Sequence, residues 1–433
     1  MFFLLIFFFA YIDILHYIVY NNFNIYKIPK FRFEDEGAKE EIMKQESVAI
    51  LDIRSGEITF ALGTKGVNGT FAFNDSHSES YEGYLVSGVL DEESFRRAIL
   101  VSINAVRQNY GGMIDEVYIG VPAPFVSVQT KGHTISFPKK RKISPQDVEA
   151  LYESGLNEML MGGRCICRSA MYFSLGDNRK YFSADSLYGV PSTLLKGALC
   201  YYFVSDVFYD TLTALLEGER FSKVHFVPST LAQATCLMGE KKREGYAFLL
   251  DIGFLTTSIS VIYGDGIVHE ESFDCGVGTI RVALMQELGV EYAVAEEMLS
   301  DANISGGFNV KDRVWTSETL NRQFPVQQIN DIIKYHLDFM CERIDGFFGK
   351  YYKDKASSGL TANPISVTGE GVSGIKGVAE HVSRRLNRLT EIVCPDQPYF
   401  EKPACSSRIS LLSTATKEGK RRGLLQRIFG GKR

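Results

Sequence analysis

The chain has 433 residues, 45% apolar and 23% charged, too long for one small core and too mixed for a disordered segment. Its net charge of −5 is uneven: residues 417–433 hold seven basic side chains against Glu418, so the tail carries +6 and the rest of the chain −11. An acidic body with a basic end excludes a general nucleic-acid binder and points to a local anionic target for the tail.

The eight cysteines are scattered, with only Cys165 and Cys167 close together. Without CxxC or Cys/His spacing they predict free thiols in a reducing cytoplasm, with no disulfide framework and no zinc site.

Residues 1–20 are hydrophobic over the length of a membrane span, although Asp13 and His16 interrupt them. They lack the basic start and small-residue cleavage site of a signal peptide. Residues 1–42 are dominated by Phe, Ile, Leu, Tyr, Asn and Lys, the vocabulary of a translated AT-rich noncoding stretch. The expectation is a start at Met43 with residues 1–42 a misassigned extension. A genuine N-terminal membrane helix is the alternative.

The first strong pattern is Ala49-Ile50-Leu51-Asp52-Ile53-Arg54-Ser55-Gly56 followed by the β-rich run Ile58 to Gly63. Glu92 to Gln108 then has apolar residues at helical spacing, and Ile114 to Val121 reads as a strand. From Pro122 to about Phe203 the texture changes to short alternating strands, the basic cluster Lys139 to Lys142, read as a solvated loop, and a helix start at Ser144-Pro145. This predicts a small α+β insertion. A helix over Val204 to Leu216, a strand at Lys223 to Pro228 and a helix from Ser229 to Met238 lead into the second half.

There the opening pattern returns as Phe248-Leu249-Leu250-Asp251-Ile252-Gly253 followed by Thr256 to Ile262, with the two aspartates 199 residues apart. One strand ending in Asp and a turn residue is an ordinary hairpin, since Asp and Gly favour turns for local reasons. Two of them, one per domain length, predict a duplicated unit. Their carboxylates and turn N–H groups would face each other and clamp a metal-bound phosphate chain. After it come Gly276-Val277-Gly278, a helix from Thr279, and a long amphipathic helix with Ile329, Ile332, Ile333, Leu337, Met340, Ile344, Phe347 and Phe348 on one stripe, which is core. A strand over Pro364 to Val367 meets the turn Thr368-Gly369-Glu370-Gly371, where backbone can approach a ring or a phosphate, and a helix from Ser373.

In the tail, Lys417 to Phe429 forms a short helix on which Leu424, Leu425, Ile428 and Phe429 share an arc of about 140° at about 100° per residue. Arg422 and Arg427 flank that arc and Arg421 snorkels from its edge. Four large apolar groups at about 1.5–3 kcal/mol each favour a lipid surface, and each basic neighbour adds about 1 kcal/mol near anionic lipid.

Two Asp-bearing hairpins, a late Gly-rich turn and an insertion in the first half resemble the actin-like ATPase superfamily. The position of the insertion and the tail make the chain similar to the bacterial cell division FtsA family from Met43 to Arg433. That resemblance implies an α/β, actin-like (ribonuclease H-like) two-domain fold with a small inserted α+β subdomain of the SHS2 type. It implies subdomain 1A over 43–121 and 204–238 around subdomain 1C over 122–203. Subdomain 2A would cover 239–279 and 346–412 around 2B over 280–345, and 413–433 would be a linker and an amphipathic membrane-targeting helix. It further implies ATP with Mg²⁺, Asp52 and Asp251 holding the metal through waters, and Asp251 orienting the attacking water. Ser55, Thr256 and Thr257 would contact phosphates beside Gly56, Gly253, Gly276 and Gly278. Glu296, Gly369 and Gly371 would line the nucleoside.

The chain departs from the family at Arg54, at Phe254-Leu255 and at Glu370, where the family has glycines, at Ser258, where it has Asp, and at Leu299, where it has Lys. Weak ATP binding with slow or absent turnover is therefore expected. The implied function is a scaffold on the inner membrane face that polymerises, so that many weak feet act together, and tethers filaments of the tubulin-like division protein FtsZ. The partners would be FtsZ, anionic lipid and further copies of the chain, with no nucleic acid. A pilus-assembly scaffold and a sugar or acetate kinase of the same superfamily are the alternatives. The kinase is opposed by the lack of an evident substrate base and by the tail.

Overall fold

The computed structural model describes residues 47–66, 68–159, 162–177, 179–305, 313–317, 319–352 and 363–429, with residues 419–429 described for their backbone alone. The first 42 residues and their two readings lie outside the described residues.

The first half is built on strands β1 (Val48–Ile53), β2 (Glu57–Lys65) and β3 (Phe71–Ser80), helix α1 (Glu92–Tyr110) and strand β4 (Glu116–Val121). Strands β1 and β2 are buried almost end to end, which is why they read as unbroken apolar runs. Strand β3 alternates and ends the sheet with polar side chains outward. Asp91 caps α1 by accepting from Ser94 N at 2.7 Å.

The insertion follows as β5 (Ser127–Lys142), α2 (Pro145–Asn157), β6 (Arg164–Ser174) and β7 (Pro191–Val204), with the strands in the order β5-β7-β6. Asp147 accepts from Ser144 N at 2.9 Å to close the start of α2. Ile143, Leu151, Phe173, Leu199 and Phe203 form the insertion's own core. The basic cluster at 139–142 is not a loop: it is the exposed end of β5, and Arg141 turns back to pair with Asp147. The long strand is carried through by pairing with β7, interrupted by a register shift between Ser136 and Arg141.

Helix α3 (Asp206–Gly218), strand β8 (Lys223–Pro228) and helix α4 (Ser229–Leu237) return to the first half, completing a sheet of order β8-β4-β1-β2-β3. The second half repeats it. Strands β9 (Tyr246–Ile252), β10 (Thr257–Tyr263) and β11 (Gly266–Phe273) are followed by α5 (Val277–Leu288), α6 (Tyr292–Asp301), the β12 (Val314–Ser317) and β13 (Arg322–Pro325) hairpin, and α7 (Val326–Tyr352). Then come β14 (Ile365–Thr368), α8 (Glu370–Gly374), α9 (Val378–Arg385), β15 (Thr390–Ile392) and α10 (Ser406–Phe429). The second sheet runs β15-β14-β9-β10-β11. Both sheets have one topology: the leading hairpin and its third strand antiparallel, the next two strands parallel on the other side of the first. The duplication read from two hairpins thus extends to whole sheets, and it sets Asp52 and Asp251 at matching strand ends. The apolar stripe of α7 is core from Ile329 to Phe347.

The insertion bridges the halves. The β10–β11 turn reaches it through Asp265 N, which donates to Ala170 O at 3.2 Å, and Ile267 N, which donates to Tyr202 Oη at 3.1 Å. The tail also differs from expectation. Helix α10 runs from Ser406 without a break, and Ile409, Leu411, Leu412 and Ala415 are buried beside Ile50 and Ala61. No linker separates body from tail at residue 413. Leu424, Leu425, Ile428, Phe429, Arg421, Arg422 and Arg427 belong to the backbone of α10, and their side chains lie outside the described ones. Among the described residues, no helix is long and apolar enough to cross a membrane.

Candidate functional site

The two leading hairpins bring their aspartates to a shared cleft. Asp52, 1% exposed at the end of β1, accepts a hydrogen bond from Ser407 Oγ at 2.5 Å, in the first turn of α10. Burial pushes its carboxyl above the ordinary range against the opposing pull of Arg54. Asp251, at the end of β9, accepts from Gln233 Nε2 of α4 at 2.9 Å, and its Oδ1 stands 3.7 Å from Arg54 Nη2. The Arg54 side chain is 12% exposed. Although its own burial works against its charge, Asp251, Glu370 and Asp52 hold its pKa above the ordinary arginine value. Both predicted metal-side carboxylates therefore face one guanidinium.

The turns are occupied by their own chain. Ser55 Oγ, expected at phosphate, accepts from Leu255 N at 2.9 Å and so ties the two halves together. Thr257 is fully buried and donates to Cys275 O at 2.5 Å, which takes it away from the cleft and corrects the expected phosphate contact. It opens β10, and the strand's alternation turns its side chain to the core. Thr256 stays at the cleft, where it lines the cavity with Tyr84. Val277 N and Gly278 N, at the start of α5, donate to Gly253 O at 3.0 Å and Phe254 O at 2.8 Å. Those N–H groups are the ones an anion would need at that end of the helix.

Phe254 lies across the gap. A Cβ on Gly56 would come within 2.5 Å of its ring, and one on Gly278 within 2.9 Å, so these glycines make room for an aromatic ring. Leu255 is buried with Leu85.

On the expected nucleoside side, Glu296 is paired with Arg281 at 3.1 Å, and that guanidinium lies over the Phe254 ring, 5.5 Å from its centre. Gly369, at φ 99°, lets the chain turn against the Asp251 carboxylate, where any side chain would overlap it. Gly371 packs on Ile252. Glu370 is largely buried beside Arg54, with Oε1 unpartnered and its carboxyl pushed up by desolvation.

These residues do not fit Mg²⁺ and a phosphate chain. The negative charge of the two carboxylates is met by Arg54, Ser407 and Gln233, the N–H groups of Arg54, Gly253 and Leu255 are bonded to Glu57 O, Thr256 O and Ser55 Oγ, and Phe254 with Leu255 fills the approach. A cavity of about 40 Å³ remains, lined by Arg54, Asp251, Gln233, Thr230 and Ser407 among others, enough for roughly two or three waters. Gln233, Ser407 and Tyr84 were not singled out in the sequence. Gln233 sits in a helix read only as a connector, and Ser407 is 355 residues from its partner.

No family model matches the sequence. Among solved structures the chain is similar to one titled a PilM-PilN type IV pilus biogenesis complex, with a TM-score of 0.56 and 12% identity, covering 86% of this chain and 99% of that one. It is also similar to MreB5 of Spiroplasma citri bound to AMPPNP, with a TM-score of 0.50 and 9% identity over 87% of this chain and 98% of that one. The same Spiroplasma protein bound to ADP gives the same values. At such identities the likeness is one of fold. With its doubled five-stranded sheet and its insertion, the chain has the actin-like (ribonuclease H-like) two-domain fold with a small α+β subdomain in the first half.

Proposed function

We propose that this protein is an actin-like scaffold of the FtsA type, which tethers FtsZ filaments to the inner face of the cell membrane and uses ATP weakly or not at all. One observation carries the scaffold half of this reading. The two-domain body is complete, while the turns that would hold a phosphate chain are closed on themselves by Leu255 N to Ser55 Oγ, Val277 N to Gly253 O and Gly278 N to Phe254 O. Such a body keeps surfaces for partners and for further copies of itself, and is at most a slow ATPase.

The membrane half rests on the sequence of the tail. Residues 417–433 combine an apolar arc with basic flanks, and α10 continues past the last buried turn in a direction set by the core. Sedimentation with anionic vesicles should carry the full chain down and leave a 417–433 deletion in the supernatant. Equal sedimentation of both would remove the membrane foot. A pull-down with the C-terminal peptide of FtsZ tests the partner.

A second reading is favoured by the likeness to the PilM-PilN structure: a pilus-assembly scaffold of the same fold. Vesicle binding without capture of the FtsZ peptide would move the assignment there.

A further inference from the structure

We infer that Arg54 is a tethered replacement for the metal ion: its guanidinium supplies, from within the chain, the positive charge that lets the two halves bring their carboxylates to one cleft, so the cleft is closed without any ligand.

Asp52 arrives from the first half and Asp251 from the second, at equivalent ends of β1 and β9. Glu370 arrives beside them at the start of α8. Three carboxylates that share a desolvated space stay ionised together only beside a cation, because each one disfavours the ionised form of the others. In this chain the cation is covalently attached. It comes from the β1–β2 turn, two residues after Asp52, crosses the cleft and ends 3.7 Å from Asp251 Oδ1. The Arg54 Nη1 atom and the Asp251 Oδ1 atom are both buried without a hydrogen-bond partner, so charge more than directed bonding holds the group.

The surroundings fit a permanent closure. Ser55, next to Arg54, takes the Leu255 N–H across the same cleft. Phe254 seats on Gly56 from the opposite half, and Val86 N donates to Asp274 Oδ1 at 2.7 Å along the same boundary. These contacts need no ligand, and Arg54 is the cation among them. An arginine keeps its charge at every physiological pH, so a cleft closed this way does not open and close with ligand supply.

The test uses the full chain and three variants, Arg54→Gly, Arg54→Lys and the double variant Arg54→Gly with Asp251→Asn. Solution X-ray scattering and thermal unfolding are recorded with and without millimolar Mg²⁺, and Mn²⁺ binding is read from water-proton relaxation. The unaltered chain should be equally compact with and without Mg²⁺ and should show no saturable Mn²⁺ binding. Arg54→Gly should expand, melt earlier, gain saturable Mn²⁺ binding, and recover part of the lost melting temperature when Mg²⁺ is added. Arg54→Lys should stay compact and blind to Mg²⁺. Should Arg54→Gly fail to fold, the double variant, which removes the uncompensated carboxylate, should fold. Saturable Mn²⁺ binding by the unaltered chain would overturn the inference. So would an Arg54→Gly protein as compact and as indifferent to divalent ions as the original, or a double variant that is no better folded than the single one. Vesicle and FtsZ-peptide binding are separate readouts, so the scaffold reading stands or falls apart from this one.

Discussion

At Arg54 one side chain changes what two aspartates do. Replacing it with Met leaves Asp251 without its counter-charge, and Asp52 with only Arg408, in a site where water is scarce. Removing one partner of a buried pair costs about 3–5 kcal/mol, and the 3.7 Å separation and partial exposure of Asp251 bring the expectation to about 2–3 kcal/mol. Urea unfolding of Arg54→Met checks it, and a loss below the error of the measurement would mean that the pair carries no weight. Glu370 makes the opposite prediction. It faces Arg54 and Arg281 on the favourable side and Glu57 and Asp251 on the unfavourable side, and desolvation leaves its carboxyl above the ordinary range. The folded state therefore holds this proton more tightly than the unfolded state. Its contribution to stability is present below the ordinary carboxylate range and lost as pH rises through the folded-state value. Glu370→Gln should accordingly be more stable than the original at neutral pH, and the gain should shrink in mild acid. Unfolding curves at the two pH values decide it.

Among the elements, α10 was the least legible in the sequence. A linker was expected from residue 413, in the Ser- and Thr-rich stretch 413–416, yet Ser413, Ala415 and Thr416 are buried. The hydroxyls of Thr414 and Thr416 bond back to the carbonyls of Ser410 and Ser413, both at 3.0 Å, which satisfies them inside a packed helix. Truncation therefore has a sharp boundary. Deleting residues 417–433 should leave the melting temperature within a degree or two, since the buried Ile409, Leu411, Leu412 and Ala415 all remain. Deleting from residue 409 also removes Ile409, Leu411, Leu412 and Ala415, and with about 2–4 kcal/mol at stake for each large side chain the protein should not fold. Circular dichroism melts of the two truncations check both halves of the expectation. The hairpins were the opposite case. Strands buried on both faces announce themselves as apolar runs, and an Asp at each end marks the turn, so both could be placed by reading alone.

For the whole molecule, duplication was legible and closure was not. Two similar hairpins foretold two similar sheets, and in each the hairpin pairs with its third strand on one side and two parallel strands on the other. The bonds that close the halves pair residues such as Ser55 with Leu255 and Asp52 with Ser407, which no local pattern connects. Arg54 and Phe254 were visible as departures that crowd a phosphate, but their positive roles depend on where a guanidinium and a ring point once the halves meet. The docking of the insertion was equally hidden. Gly264, at φ 59°, lies so close to Met171 O that any Cβ would overlap it, so Gly264→Ala should loosen the insertion from the second half. The expected result is faster cleavage between residues 174 and 191 by a non-specific protease, with the cleavage rate unchanged elsewhere.

The cleft between the two halves is closed by its own residues. Isothermal titration of Mg·ATP into the full chain measures this most directly. No micromolar binding and at most slow phosphate release are expected. Binding in the micromolar range accompanied by turnover would mean that the turns around Arg54 and Phe254 open for nucleotide after all.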